Sequence, residues 1–468
     1  MRGDGSGAKV ARRARDFTTG SVWRHILDFS WPLFAGNLLQ ILYNTVDSFW
    51  VGRYLGAHAL GAVAVSAPVV LVLVTTISGL TTAATTLVSQ YRGAGDESRV
   101  RRTVANALVM LVLLGLAAMV VTIRWRWPLL QLIRTPAELL EDAGLYLGIF
   151  LLGLIPTFLF NGISGVLRAV GDSRTPLLFL ATATVTNVVL DPILIIGWGP
   201  APAMGVAGAA WATVIAQGLA AACSLRYLFR STNLAPRSIL EWRLDGELVR
   251  TLARVGIPVA LQSSVTASAY LVLSSLVNTF GATVVAAFGV AGRLDAVAFL
   301  PAQSVSLAVI PLVGQNLGAG REDRAKEVVR TAALMSGSIA ATMTLLVWLE
   351  GDRLMRIFTD DAAVVAEGAR YLRIVGLAFV TMSLYMVASG ALQGAADTLP
   401  PMLFGVLTLC VVRVPLAWYL AYPLGLGSTG IWWSMAIGYT LGMICNWTYY
   451  STDLWRRKVV ARRAALET

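Results

Sequence analysis

Twelve apolar runs, each about 20 residues long, lie along this chain in two sets of six, and they limit what it can fold into. The first set falls at about 26–52, 59–88, 103–124, 143–166, 176–197 and 206–229. The second falls at about 250–279, 284–314, 328–349, 368–390, 402–423 and 428–450. In hydrocarbon such a run satisfies its own backbone only as a helix. Composition points the same way, with 56% hydrophobic and 13% charged residues and a mean hydropathy of +0.69. A soluble chain of 468 residues needs more charge to cover its surface. The expected class is an all-α polytopic membrane protein with 12 transmembrane helices.

The two sets repeat one another. "SQYRGAGDESRV" (89–100) matches "GQNLGAGREDRA" (314–325), which pairs Gln90 with Gln315 and Gly93 with Gly318. "SGVLRAVGDSRTP" (164–176) matches "SGALQGAADTLPP" (389–401), with Asp172 opposite Asp397. Pro32 opposes Pro258, and "GAAW" (208–211) opposes "GIWW" (430–433). With six spans per half, the halves share orientation, so the expected architecture is two six-helix lobes related by a pseudo-two-fold axis along the membrane normal. The implied division is a tail at 1–25, an N-lobe at 26–229, a linker at 230–249, a C-lobe at 250–450 and a basic tail at 451–468. The segment "RSTNLAPRS" (230–238) gives the linker its polar opening.

Charge sets the orientation. Of the 37 Lys+Arg residues, 27 fall on the side that holds both termini and 8 on the other, while Arg293 and Arg413 lie inside spans. The positive-inside rule then places both termini in the cytoplasm of a plasma or inner membrane. The net charge of +11 is accounted for by orientation rather than by a nucleic-acid surface. Residues 1–24 have no apolar core and do not read as a cleaved signal. The three cysteines, Cys223, Cys410 and Cys445, show no CxxC spacing, so a disulfide framework or zinc site is not expected.

Several stretches together carry a family resemblance: "WPLFAGNLLQILYNTVDSFWVG" (31–52), the paired "SQYRGAG", "LRAVGDSRTP", "NVVLDPI" and "GVAGAAWAT" (205–213). In order and in part duplicated, they resemble the multidrug and toxic compound extrusion (MATE) transporters over roughly residues 20–450. The resemblance implies cation-coupled antiport of amphipathic, cationic organic compounds by alternating access. The NxxxDP pattern and a first-span aspartate are similar to the DinF-like branch. Carried over residue by residue, that similarity implies a coupling site for H⁺ or Na⁺ at Asp47, Asn187, Asp191 and Thr213. No other cofactor is expected, and the partners are the bilayer and small drug-like substrates, with no nucleic acid and no obligatory protein.

The residues themselves support such a site. Among 26 acids, only Asp47, Asp191 and Asp295 fall clearly within spans, where a carboxylate is costly and faces a cavity or partner. Asp47 precedes Gly52 by five residues and Asp191 precedes Gly197 by six. At ~1.5 Å per residue the two share a depth. Asn187 is i,i+4 to Asp191, and Asn44 is i,i+3 to Asp47, so each pair lies on one helix face. Carboxylates, amide oxygens and a hydroxyl suit a small hard cation. Pro192 frees the carbonyl of Val188 for the same use. A plainer account has Asp47 paired with Arg53 and Asp191 bonded to a neighbouring helix.

Asp295 and Arg413 both fall near mid-membrane and are expected to form a structural ion pair. Gln262, Ser263, Gln303, Met382 and Met386 are expected to line a substrate cavity. Two further readings stay open on sequence alone: a flippase for lipid-linked substrates, and an intramembrane transferase. Against the first, only two cations lie inside spans. Against the second, the chain has no DDxxD cluster, and it has no GxxxxGK[ST] for direct ATP drive.

Overall fold

The computed structural model describes residues 15–198, 202–458 and 460. Residues 1–14, 199–201, 459 and 461–468 lie outside that description, and with them most of the N-terminal tail and the end of the C-terminal one. Apolar runs become helices throughout. The first, α1 (Val22–Gly93), holds two spans and is broken only at Gly56, whose φ of 82° puts it in a region glycine tolerates. The sequence reading ended the first span at 52, so Asp47 lies deeper from its helix end than expected.

There follow α2 (Glu97–Leu132) and a bent pair, α3 (Ala137–Leu152) and α4 (Leu154–Ala169), which meet at 48°. Next come α5 (Arg174–Ile196) and α6 (Val206–Ser231). The second set is α7 (Gly246–Asn278), α8 (Ala282–Gly318) and α9 (Glu322–Arg356), then a second pair, α10 (Ala362–Gly376) and α11 (Phe379–Gly394), bent by 45°. It closes with the span Leu399–Ala421 and α14 (Ser428–Ser451). The Leu399–Ala421 span contains α12 (Leu399–Gly405), a π-helical stretch Val406–Arg413 and α13 (Val414–Ala421). Among the described residues the protein is all-α, with twelve transmembrane helices in two six-helix lobes.

Two compact units emerge. One comprises Pro32–Val88 and Asp96–Arg254; the other takes Phe17–Trp31, Ser89–Gly95 and the chain from Val255 onward. The second unit therefore includes both ends of α1, which the sequence division had put in the tail and the N-lobe. Side chains explain this. Phe17 is buried, its N–H donates to Gln315 Oε1 at 3.2 Å, and its carbonyl accepts from Arg324 Nε at 3.1 Å. Arg324 also donates to the carbonyls of Thr19 and Gly20. The duplicated glycines let helix ends cross at backbone contact: a Cβ on Gly93 would fall onto the Gln315 backbone, and one on Gly318 onto that of Gln90.

The repeat extends to side-chain bonds that the motifs alone did not reveal. Asp172 caps the start of α5 by accepting from the Thr175 N–H and hydroxyl, and Tyr227 reaches it at 3.4 Å. Asp397, its counterpart, accepts from Tyr449 at 2.7 Å. The linker is shorter than expected and is not a bare tether. Asn106 of α2 donates to the Arg243 carbonyl and accepts from the Asp245 N–H, while Arg101 pairs with Glu241 at 3.2 Å.

Candidate functional site

The polar pocket lies in the first unit, and the packing of α5 on α6 builds it. Gly208 sits against the backbone of Leu194, where a Cβ would collide, and Ala209, Ala210 and Ala212 are buried beside it. Small residues of this kind bring membrane helices to close approach. The connecting turn is fastened by Met204 and Gly205, whose N–H groups donate to Leu194 and Ile195. From that junction Thr213 lies about a turn and a half along α6, and Asp191 about one turn back along α5. Helix α5 continues through Pro192 to a left-handed cap at Gly197.

Asn187 and Asp191 are fully buried, and the Asn187 amide donates to Asp191 Oδ1 at 3.2 Å. That bond satisfies one carboxylate oxygen and leaves Asp191 Oδ2 and Asn187 Oδ1 enclosed without partners. From α1, Asp47 interacts electrostatically with Asp191, and its own Oδ1 is enclosed and unpartnered. Tyr43, one turn before Asp47, is buried within electrostatic reach of both carboxylates, with Thr213 and Gln217 approaching its hydroxyl. Neither closes a well-formed hydrogen bond to it, and Gln217 Oε1 is also unpartnered. Tyr146 of α3 completes the wall beside Tyr43 and both acids.

Five enclosed oxygens without hydrogen bonds form an expensive arrangement. Each buried orphan costs about 1–3 kcal/mol, and more when charged, against a total folding margin of roughly 5–15 kcal/mol. Two carboxylates, two amide oxygens and two hydroxyls form the donor set that a hard monovalent cation or a shared proton would satisfy. The chemistry of the pocket therefore fits the expected cargo ion.

Four of the five residues expected in this site, Asp47, Asn187, Asp191 and Thr213, converge. Asn44 does not: it is exposed, and its Oδ1 accepts from Gln40 at 3.3 Å. The i,i+4 neighbour of Asp47 on the buried face is Tyr43, which sequence reasoning passed over along with Tyr146 and Gln217. The plainer account of Asp47 also fails, because no ion pair joins it to Arg53 among the described residues.

The expected Asp295–Arg413 ion pair is not a direct contact. Asp295 accepts from the Tyr371 hydroxyl at 3.2 Å. The buried Arg413 guanidinium lies over the Tyr439 ring at 4.8 Å, in space left by Gly438. The two charges sense one another at longer range. A buried acid of this unit that does make a direct ion pair is Glu367, which accepts from Arg370, Ser428 and Trp432. Of the expected cavity residues, Gln262 donates to Tyr385 at 2.9 Å and Ser263 to the Val259 carbonyl. Gln303, Met382 and Met386 are half-buried.

Twelve membrane-spanning helices in two repeated lobes, with a cluster of buried and unpartnered oxygens in one lobe, describe a transporter. The MatE family model matches residues 32–193 and again 258–419, once per repeat, and the chain belongs to that family. It is 33% identical over 444 residues to the "Probable multidrug resistance protein YpnP" of Bacillus subtilis, covering 95% of this chain and 98% of that one. It is 25% identical to the "Probable multidrug resistance protein NorM" of Thermotoga maritima, over 94% of this chain and 95% of that protein. A crystal structure of a MATE protein in the bent conformation superposes with a TM-score of 0.87 at 22% identity, covering 98% of this chain and 99% of the other. The protein is a multi-pass multidrug efflux transporter of the MATE family and not an enzyme.

Proposed function

We propose that this transporter is a secondary active antiporter, in which inward movement of H⁺ or Na⁺ through the Asp47–Asp191 pocket drives export of amphipathic, cationic organic compounds by alternating access. Both termini are cytoplasmic in this reading, the membrane is the plasma or inner membrane, and no partner protein is required. The observation that carries it is the pocket of enclosed, unpartnered oxygens around two neighbouring carboxylates in one unit.

An ion bound there relieves the repulsion between the carboxylates and draws Asp47 and Tyr43 of α1 toward Asn187 and Asp191 of α5. Release of the ion restores that repulsion and lets α1 repack. Ion occupancy is thereby linked to the position of a helix, and that link is what alternating access requires. Membership of the DinF-like branch, and a substrate path along Gln262, Ser263, Gln303, Met382 and Met386, belong to the same reading.

The test uses purified protein in ATP-free vesicles loaded with a cationic dye, under Na⁺ and pH gradients imposed separately. At least one gradient should drive efflux by the native chain. Asp47→Asn and Asp191→Asn should abolish that efflux while inserting normally. Full efflux in both variants would reject the site.

A further inference from the structure

The second unit carries a groove that the transport reading does not use. It has a volume of about 670 Å³, within the range of roughly 300–1,000 Å³ usual for ligand clefts, and it lies among α9, α11 and α14. Helices α9 and α14 both pack on α11, whose Leu384 lies between them. One face of α9 supplies the long wall: Lys326, Arg330, Leu334, Gly337 and Ala341 follow helical spacing from its first turns toward its middle. The wall is cationic for its first two turns and apolar or small beyond them.

The opposite wall is aromatic. Trp447 is fixed by an indole N–H donated to the Leu384 carbonyl at 3.0 Å. Tyr450 stacks on Trp455 at 5.2 Å, and its hydroxyl is enclosed without a hydrogen-bond partner. At the cationic end Lys326 is bonded to Asp453 at 3.0 Å, and Asp453 is shared with Arg456. Arg330 is exposed and makes no ion pair among the described residues.

We infer that this groove is a binding site for one anionic phospholipid, its phosphate held by Arg330 and Lys326 beside Tyr450, and an acyl chain laid along Leu334, Gly337 and Ala341. Charge complementarity identifies the occupant. A cationic substrate meets Arg330 and Lys326 at the mouth and is repelled, whereas an anionic headgroup is attracted at a membrane interface by about 1 kcal/mol per basic residue. The walls change from charged to aromatic to apolar within one helix length, in the order that a headgroup, interface and acyl chain require. Gly337 leaves the wall low, with the nearest side-chain atom, on Leu384, 3.8 Å from where a Cβ would sit. Only the choice of leaflet, the cytoplasmic one, rests on the orientation proposed above.

The experiment is native mass spectrometry of the full-length purified chain equilibrated with phosphatidylglycerol or phosphatidylcholine. Preferential retention of one phosphatidylglycerol is expected. Arg330→Ala should lower that retention about fivefold, the factor equivalent to one interfacial cation, and leave phosphatidylcholine unchanged. Asp453→Asn should raise it, because a competing negative charge is removed while asparagine keeps the positive φ of 57° at that position. Arg353→Ala removes the same charge from the other end of α9, where Arg353 pairs with Glu350, and should change nothing.

Equal retention of both lipids would overturn the inference. So would equal losses in Arg330→Ala and Arg353→Ala, or displacement of the lipid by the dye used for transport. The readout is equilibrium binding, so a failed lipid site leaves ion-driven efflux untouched, and failed ion coupling leaves the lipid site untouched.

Discussion

Asp47, Asp191 and Tyr43 show how one turn of helix decides which side chain enters a site. Asn44 and Tyr43 are adjacent in sequence, yet Asn44 is exposed and Tyr43 is buried near both carboxylates. Asn44→Ala should therefore leave coupled efflux near the native rate. Asn187→Ala removes the donor to Asp191 and should lower it by more than about tenfold, in line with roughly 1.5–3 kcal/mol for a hydrogen bond to a charged group. Tyr43→Phe deletes an enclosed hydroxyl that has no partner. It should leave thermal stability unchanged or raise it by about 1 kcal/mol, while slowing gradient-driven efflux. A loss of stability together with unaltered efflux would show that the hydroxyl serves packing alone. The carboxylates were legible in the sequence because an acid in a span is rare. Tyr43, Tyr146 and Gln217 were not, because tyrosine and glutamine in a span ordinarily need no special explanation. Only the pairing of α1, α3, α5 and α6 brings them together.

At the level of the element, hydropathy located the spans but not what joins them. Residues 53–58 read as a loop, yet helical structure runs from Val22 to Gly93 with a single break at Gly56, because one glycine at positive φ kinks the chain without a polar turn. Ser428–Ser451 is the least obvious of the twelve spans; its Trp, Tyr, Ser and Asn residues dilute its apolar character. The Asp295–Arg413 expectation failed for a related reason. Equal depth places two charges at one level but does not fix their directions, and Tyr371 and Tyr439 stand closer to them.

The linker offers a pH test. The Arg237 N–H donates to Glu241 Oε2 at 2.6 Å and, against the effect of burial and with help from Arg101, holds that carboxyl below its ordinary range. A carboxyl lowered on folding stabilises above its unfolded value, about 4.3 for glutamate, and loses that contribution as pH falls through the folded value. Amide exchange of residues 237–245, corrected for intrinsic rate, should stay flat near neutrality and accelerate only below that range. In Glu241→Gln the pH dependence should vanish. An unchanged profile in the variant would show that Glu241 does not hold the linker in place.

Across the whole molecule the duplication is the most legible feature, and the two family matches repeat it 226 residues apart. Function is not duplicated with the fold. The first unit encloses two neighbouring carboxylates with free oxygens. In the second, Asp295 is bonded to Tyr371, and Glu367 is ion-paired with Arg370. Two copies of one scaffold thus differ in their buried acids: enclosed and unpartnered oxygens at Asp47 and Asp191 in one, hydrogen-bonded or ion-paired ones at Asp295 and Glu367 in the other. The most direct test reads the carboxyl C=O stretch of purified protein by infrared difference spectroscopy as Na⁺ or pH is stepped, in the native chain, Asp47→Asn and Asp191→Asn. If the two acids share one cation, each single variant should erase the whole ion-sensitive carboxyl signal. A signal that survives in both, or that falls only by each residue's own share, would contradict a common site.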